Sequence, residues 1–221
     1  MEPRGLLRVA VAAIVSVALL ALLLTVTGRG TDADVAAEVN GEPIPLSAVE
    51  SRFESITQSP ILGEELADDE DGALTIELQA SVLTVLIREG LWEQGATELG
   101  IEVTEADVEA QRAEQIAEVG GEDAYEKMFE QYALDEDDFA AVLRDRVVRD
   151  RVREHLRAEV RDAVEGRTRP GEEAETIRGW AEEQVREASV EVDPRFGAWD
   201  ADGARVDPSA VLDAAPPLEA D

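Results

Sequence analysis

The stretch that most constrains this chain is Val35 to Glu50, Val-Ala-Ala-Glu-Val-Asn-Gly-Glu-Pro-Ile-Pro-Leu-Ser-Ala-Val-Glu, which carries a turn signal and a helix start in one short run. Asn40-Gly41 suits a two-residue type I′ turn, because both central positions need positive φ and these residues adopt it at least cost. A hairpin is therefore expected, with strands at Val35–Val39 and Glu42–Ile44. Ser47, followed three residues later by Glu50, has the pattern of a capping box, so a helix is expected from about Ala48. Both strands are too short to be stable alone. They need a partner, and Val190–Val192 near the other end of the chain is the best one.

Upstream, Val9 to Val26 is apolar except for Ser16 and Thr25. As a helix it spans about 27 Å, enough to cross a bilayer core. Arg4 and Arg8 precede it and Asp32 and Asp34 follow, so the positive-inside rule puts the N-terminus in the cytoplasm and the rest outside. A cleaved signal peptide is the alternative, but the run is long for one and Thr25-Val26-Thr27 is a poor cleavage site. Either way the remaining chain is extracytoplasmic.

After the hairpin the apolar spacing is helical almost throughout. Val49, Phe53 and Ile56 mark the first helix, and Ser59-Pro60 breaks it. Gly63 to Gly72 reads as an acidic solvated loop; Asp69, Asp71 and Gly72 suggest a calcium loop, but Ala67 and Leu78 stand where that motif needs acids. From about Ala73 to Leu99 two adjacent stripes appear, Leu78, Val82, Val85, Leu86 and Leu83, Ile87, Leu91, so this helix is contacted from more than one side and is the expected centre of a bundle. Gly100 ends it, and Thr104 with Asp107 starts a peripheral, alanine-rich helix to about Val119. A short helix with Tyr125, Met128, Phe129 and Tyr132 follows Gly120-Gly121. Asp135 caps a long helix reaching toward Val164, whose far end is expected to leave the bundle. A last helix, Glu172 to about Ala188, presents Ile177, Trp180, Ala181 and Val185 on one face. Beyond Asp200 the composition predicts disorder.

Charge narrows the function. The 221 residues hold 51 acidic and 20 basic side chains, a formal net charge of −31, and a field that negative argues against nucleic-acid binding. Between Arg144 and Arg169 the sign reverses, with nine arginines against six acids. This is either a helix laced with ion pairs or a basic strip for anionic lipid headgroups or acidic polypeptides. With no cysteine and one histidine, His155, neither thiolate chemistry nor a multi-histidine metal site can be built. No P-loop, Gly-x-Gly-x-x-Gly or Gly-x-Ser-x-Gly motif is present. An enzyme reading has nothing to rest on, and no cofactor is expected.

Taken in order, the Val-Asn-Gly-Glu-Pro-Ile hairpin, the long central helix, the Leu99-Gly100-Ile101-Glu102-Val103-Thr104 junction, the Gly-Gly break, the aromatic short helix and the long exit helix resemble the N-terminal chaperone domain of SurA-like proteins, the group that includes PrsA-like and PpiD-like foldases. Val190 to Trp199 looks like the closing segment of membrane-anchored actinobacterial members. The resemblance implies a mainly α fold: an N-terminal transmembrane helix in residues 1–30, a helical SurA N-terminal-type domain with a small β-hairpin at 35–200, and a disordered acidic, proline-containing tail at 201–221. It also implies an ATP-independent holdase for unfolded or secreted polypeptides. The family's parvulin prolyl-isomerase domain usually stands where this chain has only the break around Gly166–Gly171, so isomerase activity is not expected. Met128, Phe129 and Tyr132 are the candidate polypeptide-binding residues, with ordinary core as their alternative role. A cell-envelope scaffold binding one folded partner is the competing function.

Overall fold

The computed structural model describes residues 34–58, 60–67, 69–132, 136–163 and 171–214. The expected membrane anchor and the Asp135 cap lie outside these residues. Among the described residues no helix is long and apolar enough to cross a membrane.

The hairpin forms as the sequence predicts. Strand β1 (Val35–Val39) pairs antiparallel with β2 (Glu42–Pro45), with Val39 opposite Glu42. Asn40 and Gly41 take φ of 52° and 86° between them, the two positive values that the turn requires. β3 (Val190–Val192) adds to the other side of β1, Val39 opposite Val190, giving the order β2-β1-β3. The two ends of the domain therefore meet as expected. β2 is an edge strand, and Pro43 and Pro45 remove donors there, which blunts the edge against further pairing.

Helix α1 (Leu46–Thr57) corrects the expected start: Pro45 is the N-cap in extended geometry, with φ −69° and ψ 147°, and no side chain caps the helix. The strand runs straight into the helix because Leu46 packs on the core with Ile44, which places Ser47 inside the first turn, exposed. α2 (Pro60–Ala67) occupies part of the segment read as a loop; Pro60 at its first position is preset for helical φ. α3 (Ala73–Glu98) is the bundle centre. Leu83 and Ile87 are fully buried, and Val82 and Leu91 nearly so. Val85, expected on a buried stripe, is 44% exposed.

The carboxylates before α3 are helix caps. Asp69 accepts from the Leu74 and Thr75 N–H groups at 3.1 and 2.9 Å and from the Thr75 hydroxyl at 2.8 Å, while Asp71 accepts from Ala73 N–H at 3.1 Å. Burial pushes the Asp69 carboxyl up, but the Thr75 and Leu74 donors outweigh it and hold it below the ordinary aspartate range. At the other end, Ile101 N–H bonds to Ala96 O and Gly100 N–H to Thr97 O, both 2.9 Å, the paired pattern of a Schellman motif.

α4 (Glu105–Val119) starts with the expected Thr104–Asp107 capping box and buries no residue completely. α5 (Glu122–Tyr132) and α6 (Glu136–Ala163) follow. The far end of α6 does not leave the bundle: Val152, Leu156 and Val160 are buried, the first two packing with Ala96, Ile177 and Trp180. It stays because α7 (Glu172–Glu187) returns along it and covers its apolar face. Gly95 permits this return, since a Cβ there would lie 2.6 Å from the Trp180 ring.

Residues past Asp200 are ordered further than composition suggested. β4 (Ala198–Asp200) and β5 (Arg205–Asp207) form a second hairpin, and α8 spans Ser209–Ala214. Val206 is 4% exposed in the main core beside Phe196, and its N–H donates to the Thr84 hydroxyl of α3 at 2.9 Å. One buried valine and one buried hydroxyl thus tie to the domain a segment that composition alone assigns to a tail.

Candidate functional site

Two surfaces stand out among the described residues. The first is the aromatic end of α5. Tyr125, Phe129 and Phe139 form a triad with ring centroids 4.8 to 5.8 Å apart. Arg112 from α4 lies over Tyr125 at 5.5 Å. Tyr125 is buried, whereas Phe129 is half-buried. Phe129 therefore joins α5 to α6 while keeping an accessible edge. The side chains of Met128 and Tyr132 lie outside the described residues, so the structure brings together only this one of the three expected contact residues with its neighbours.

The second surface is a trough between α3, α6 and α7. One stretch, about 850 Å³, is lined by Arg88 and Trp92 of α3, Arg149, Arg153 and Arg157 of α6, and Glu173, Ile177, Arg178 and Ala181 of α7. A second, about 510 Å³, shares Arg88, Trp92, Arg178 and Ala181 and continues past Leu91, Trp180 and Val185 to the β4–β5 turn. The floor is built by Trp92, whose ring meets Trp180 edge-on at 5.0 Å. The Arg149 and Arg153 guanidinium groups lie over the Trp92 ring at 4.9 and 5.9 Å. An arginine stacked on an indole keeps its fork of N–H donors in a fixed plane.

Helical phase divides the arginine-rich strip into two groups. Arg144 reaches α3, pairing with Glu93 and donating to the Val103 carbonyl at 3.3 Å, and Arg151 pairs with the Asp107 cap of α4. These are structural clamps. Asp107 is held below the ordinary aspartate range by the Thr104 N–H and hydroxyl, against some burial, with Arg151 adding to the effect. Arg149, Arg153 and Arg157 are spaced by four residues and line the trough instead. Their acid partners are Asp145 at 2.6 Å, Asp150 at 3.0 Å and, more loosely, Glu173 at 3.8 Å. Arg88 and Arg178 are exposed and form no ion pair among the described residues. His155 lies 3.5 Å from Glu159 one turn on, an i,i+4 contact on the surface of α6.

Behind the trough, Glu89 meets Arg52 of α1 at 3.7 Å. Burial pushes its carboxyl above the usual range; Arg52 opposes this, Asp145 adds to it, Arg149 opposes it and Glu93 adds to it. The trough wall is thus joined to α1 through a partly desolvated charge network.

The four-residue arginine spacing on α6 was visible in the sequence. The trough was not, because Arg88 and Arg178 are 90 positions apart and meet only when α7 folds back over Gly95. The two tryptophans, each near an arginine, were the signal that could have located it.

A family model described as SurA-like N-terminal domain matches residues 4–153. The match runs from before β1 through most of α6 and ends before α7 begins. No curated protein matches the chain.

Proposed function

Because the chain belongs to the SurA-like N-terminal domain family, we propose that it is an ATP-independent, chaperone-like protein that holds unfolded or secreted polypeptides outside the cytoplasm. The observation that carries this reading, beside the family, is the open trough. Its tryptophan floor and arginine rim offer apolar area and hydrogen-bond donors together. Such a surface accepts many sequences at modest affinity instead of one at high affinity.

The partly exposed aromatic end of α5 is the proposed second contact, with Met128, Phe129 and Tyr132 meeting apolar client side chains. A flexible methionine among aromatic rings suits varied partners. The apolar run Val9–Val26, with arginines before it and aspartates after it, supports tethering to a membrane with the domain outside. The short connection between α6 and α7 supports a member of the family acting without the parvulin domain, as a holdase and not an isomerase.

The test adds the full chain, without nucleotide, to a chemically unfolded client that aggregates on dilution, and follows light scattering. Several-fold excess is expected to suppress aggregation, and Met128→Ser/Tyr132→Ser to weaken that suppression. Unchanged scattering at that excess removes the holdase reading.

A further inference from the structure

We infer that the trough is a site for an extended acidic segment of polypeptide, with alternate carboxylates seated on the α6 arginines. The inference rests on the chaperone reading only for the ligand being a polypeptide, and it specifies which segments are preferred.

The geometry carries it in three steps. Arg149, Arg153 and Arg157 are four residues apart on one helix, so their Cα atoms rise about 6 Å per step. An extended chain places same-face side chains two residues apart, about 6.6 Å. A row of carboxylates at alternate positions therefore keeps nearly the same pitch as the row of guanidinium groups, while the intervening side chains face outward.

The donors are also partly available. Arg149 gives its Nε to Asp145 and Arg153 an Nη1 to Asp150, and both lie over Trp92, so both guanidinium groups are held in place while other N–H groups remain for a ligand. Arg88 and Arg178, on the opposite walls, have no acidic partner among the described residues. In the larger stretch five arginines face one acid, Glu173, in a chain where acids outnumber bases 51 to 20. Arginine-carboxylate contacts of this kind are charge-assisted and often two-pronged.

The same charge map selects against an anionic bilayer. The arginines line a concave trough and cannot be laid flat on a headgroup plane, and the acidic outer surface repels such a plane. A single strand enters the trough, where contacts at hydrogen-bond distance survive screening. Acids farther away than the Debye length, about 8 Å at physiological salt, act on it weakly.

Fluorescence anisotropy on the full chain at physiological salt tests this, with two labelled nine-residue peptides that carry Glu or Gln at alternate positions. The Glu peptide is expected to bind about tenfold tighter or more, and to weaken as salt rises. Arg88→Ala/Arg178→Ala is expected to weaken it by a similar factor. Arg146→Glu, which changes the net charge equally at an exposed position of α6 that does not line the trough, is expected to leave it within about twofold. Equal binding of the two peptides to the unaltered protein overturns the site without reference to any variant. So does unchanged binding by Arg88→Ala/Arg178→Ala, or binding confined to phosphatidylglycerol vesicles. Peptide discrimination without aggregation suppression retains the site and removes the holdase reading; suppression without discrimination does the reverse.

Discussion

Asn40 shows how much one residue can do beyond its local preference. Its turn conformation was legible in the dipeptide Asn40-Gly41, but its side chain is a clamp. The amide donates to Gln94 Oε1 at 2.8 Å, its oxygen accepts from Ser189 N–H at 2.8 Å, and Gln94 in turn donates to Val39 O and Glu42 Oε2. The hairpin, the central helix and the strand that closes the domain meet at this amide. The sequence points to Val190–Val192 as the partner of the hairpin, but not to this side-chain bond across 149 positions. Asn40→Gly keeps the turn and removes the clamp, so it is expected to cost about 2 kcal/mol, two net hydrogen bonds, in urea unfolding. An unchanged midpoint would reduce Asn40 to a turn residue. Gly95→Ala tests a second single contact. Helix propensity favours alanine by up to about 1 kcal/mol, but forcing Trp180 aside costs about 1–3 kcal/mol. A net loss of stability is expected, with a change in tryptophan fluorescence as α7 shifts.

Elements were legible where their end signals are local and missed where tertiary packing supplies the end. The Thr104–Asp107 box and the Gly100 stop are of the first kind. α1 is of the second, since Leu46 is drawn into the helix by the core, which puts Ser47 inside the first turn and leaves the helix without a side-chain cap. The β4–β5 hairpin and α8 were hidden by Ala-, Asp- and Pro-rich composition, because their order depends on Val206 and on Thr84 of α3. Thr84→Val leaves the buried Val206 N–H without its acceptor, an expected cost of about 1–3 kcal/mol. Hydrogen exchange should then speed up at 205–214 before the rest of the domain. Acid sensitivity arises at the ends of elements, where the depressed carboxylates sit. The Thr75 and Leu74 donors hold Asp69 down against burial, Thr104 holds Asp107, the Arg195 side chain holds Asp193, and Ser209 holds Asp207. Folded values below the unfolded ones stabilise the fold above the unfolded value, about pH 4, and that stability is lost as pH falls through the folded values. Glu89 has the opposite sign: its raised folded value disfavours the charged form, so its contribution becomes more favourable as pH falls through that value. The urea midpoint is expected to drop below about pH 4, and Asp69→Asn/Asp107→Asn to make that drop shallower.

At the scale of the molecule, the domain is closed by its own ends. β3 beside β1 fixes where α7 must end, α7 covers the far end of α6, and the space left between α3, α6 and α7 is the trough. The closure was readable from two short strands that each lacked a partner. The trough was not, since it is a property of helix packing and not of any one helix. In the proposed function this trough receives unfolded polypeptide. The most direct measurement places a photo-crosslinking amino acid at Ala181 in the full chain and offers one purified client in its unfolded and its folded form. Crosslinks to the unfolded client, with few to the same client folded, are predicted. Equal crosslinking of both forms, or none to the unfolded one, would contradict it.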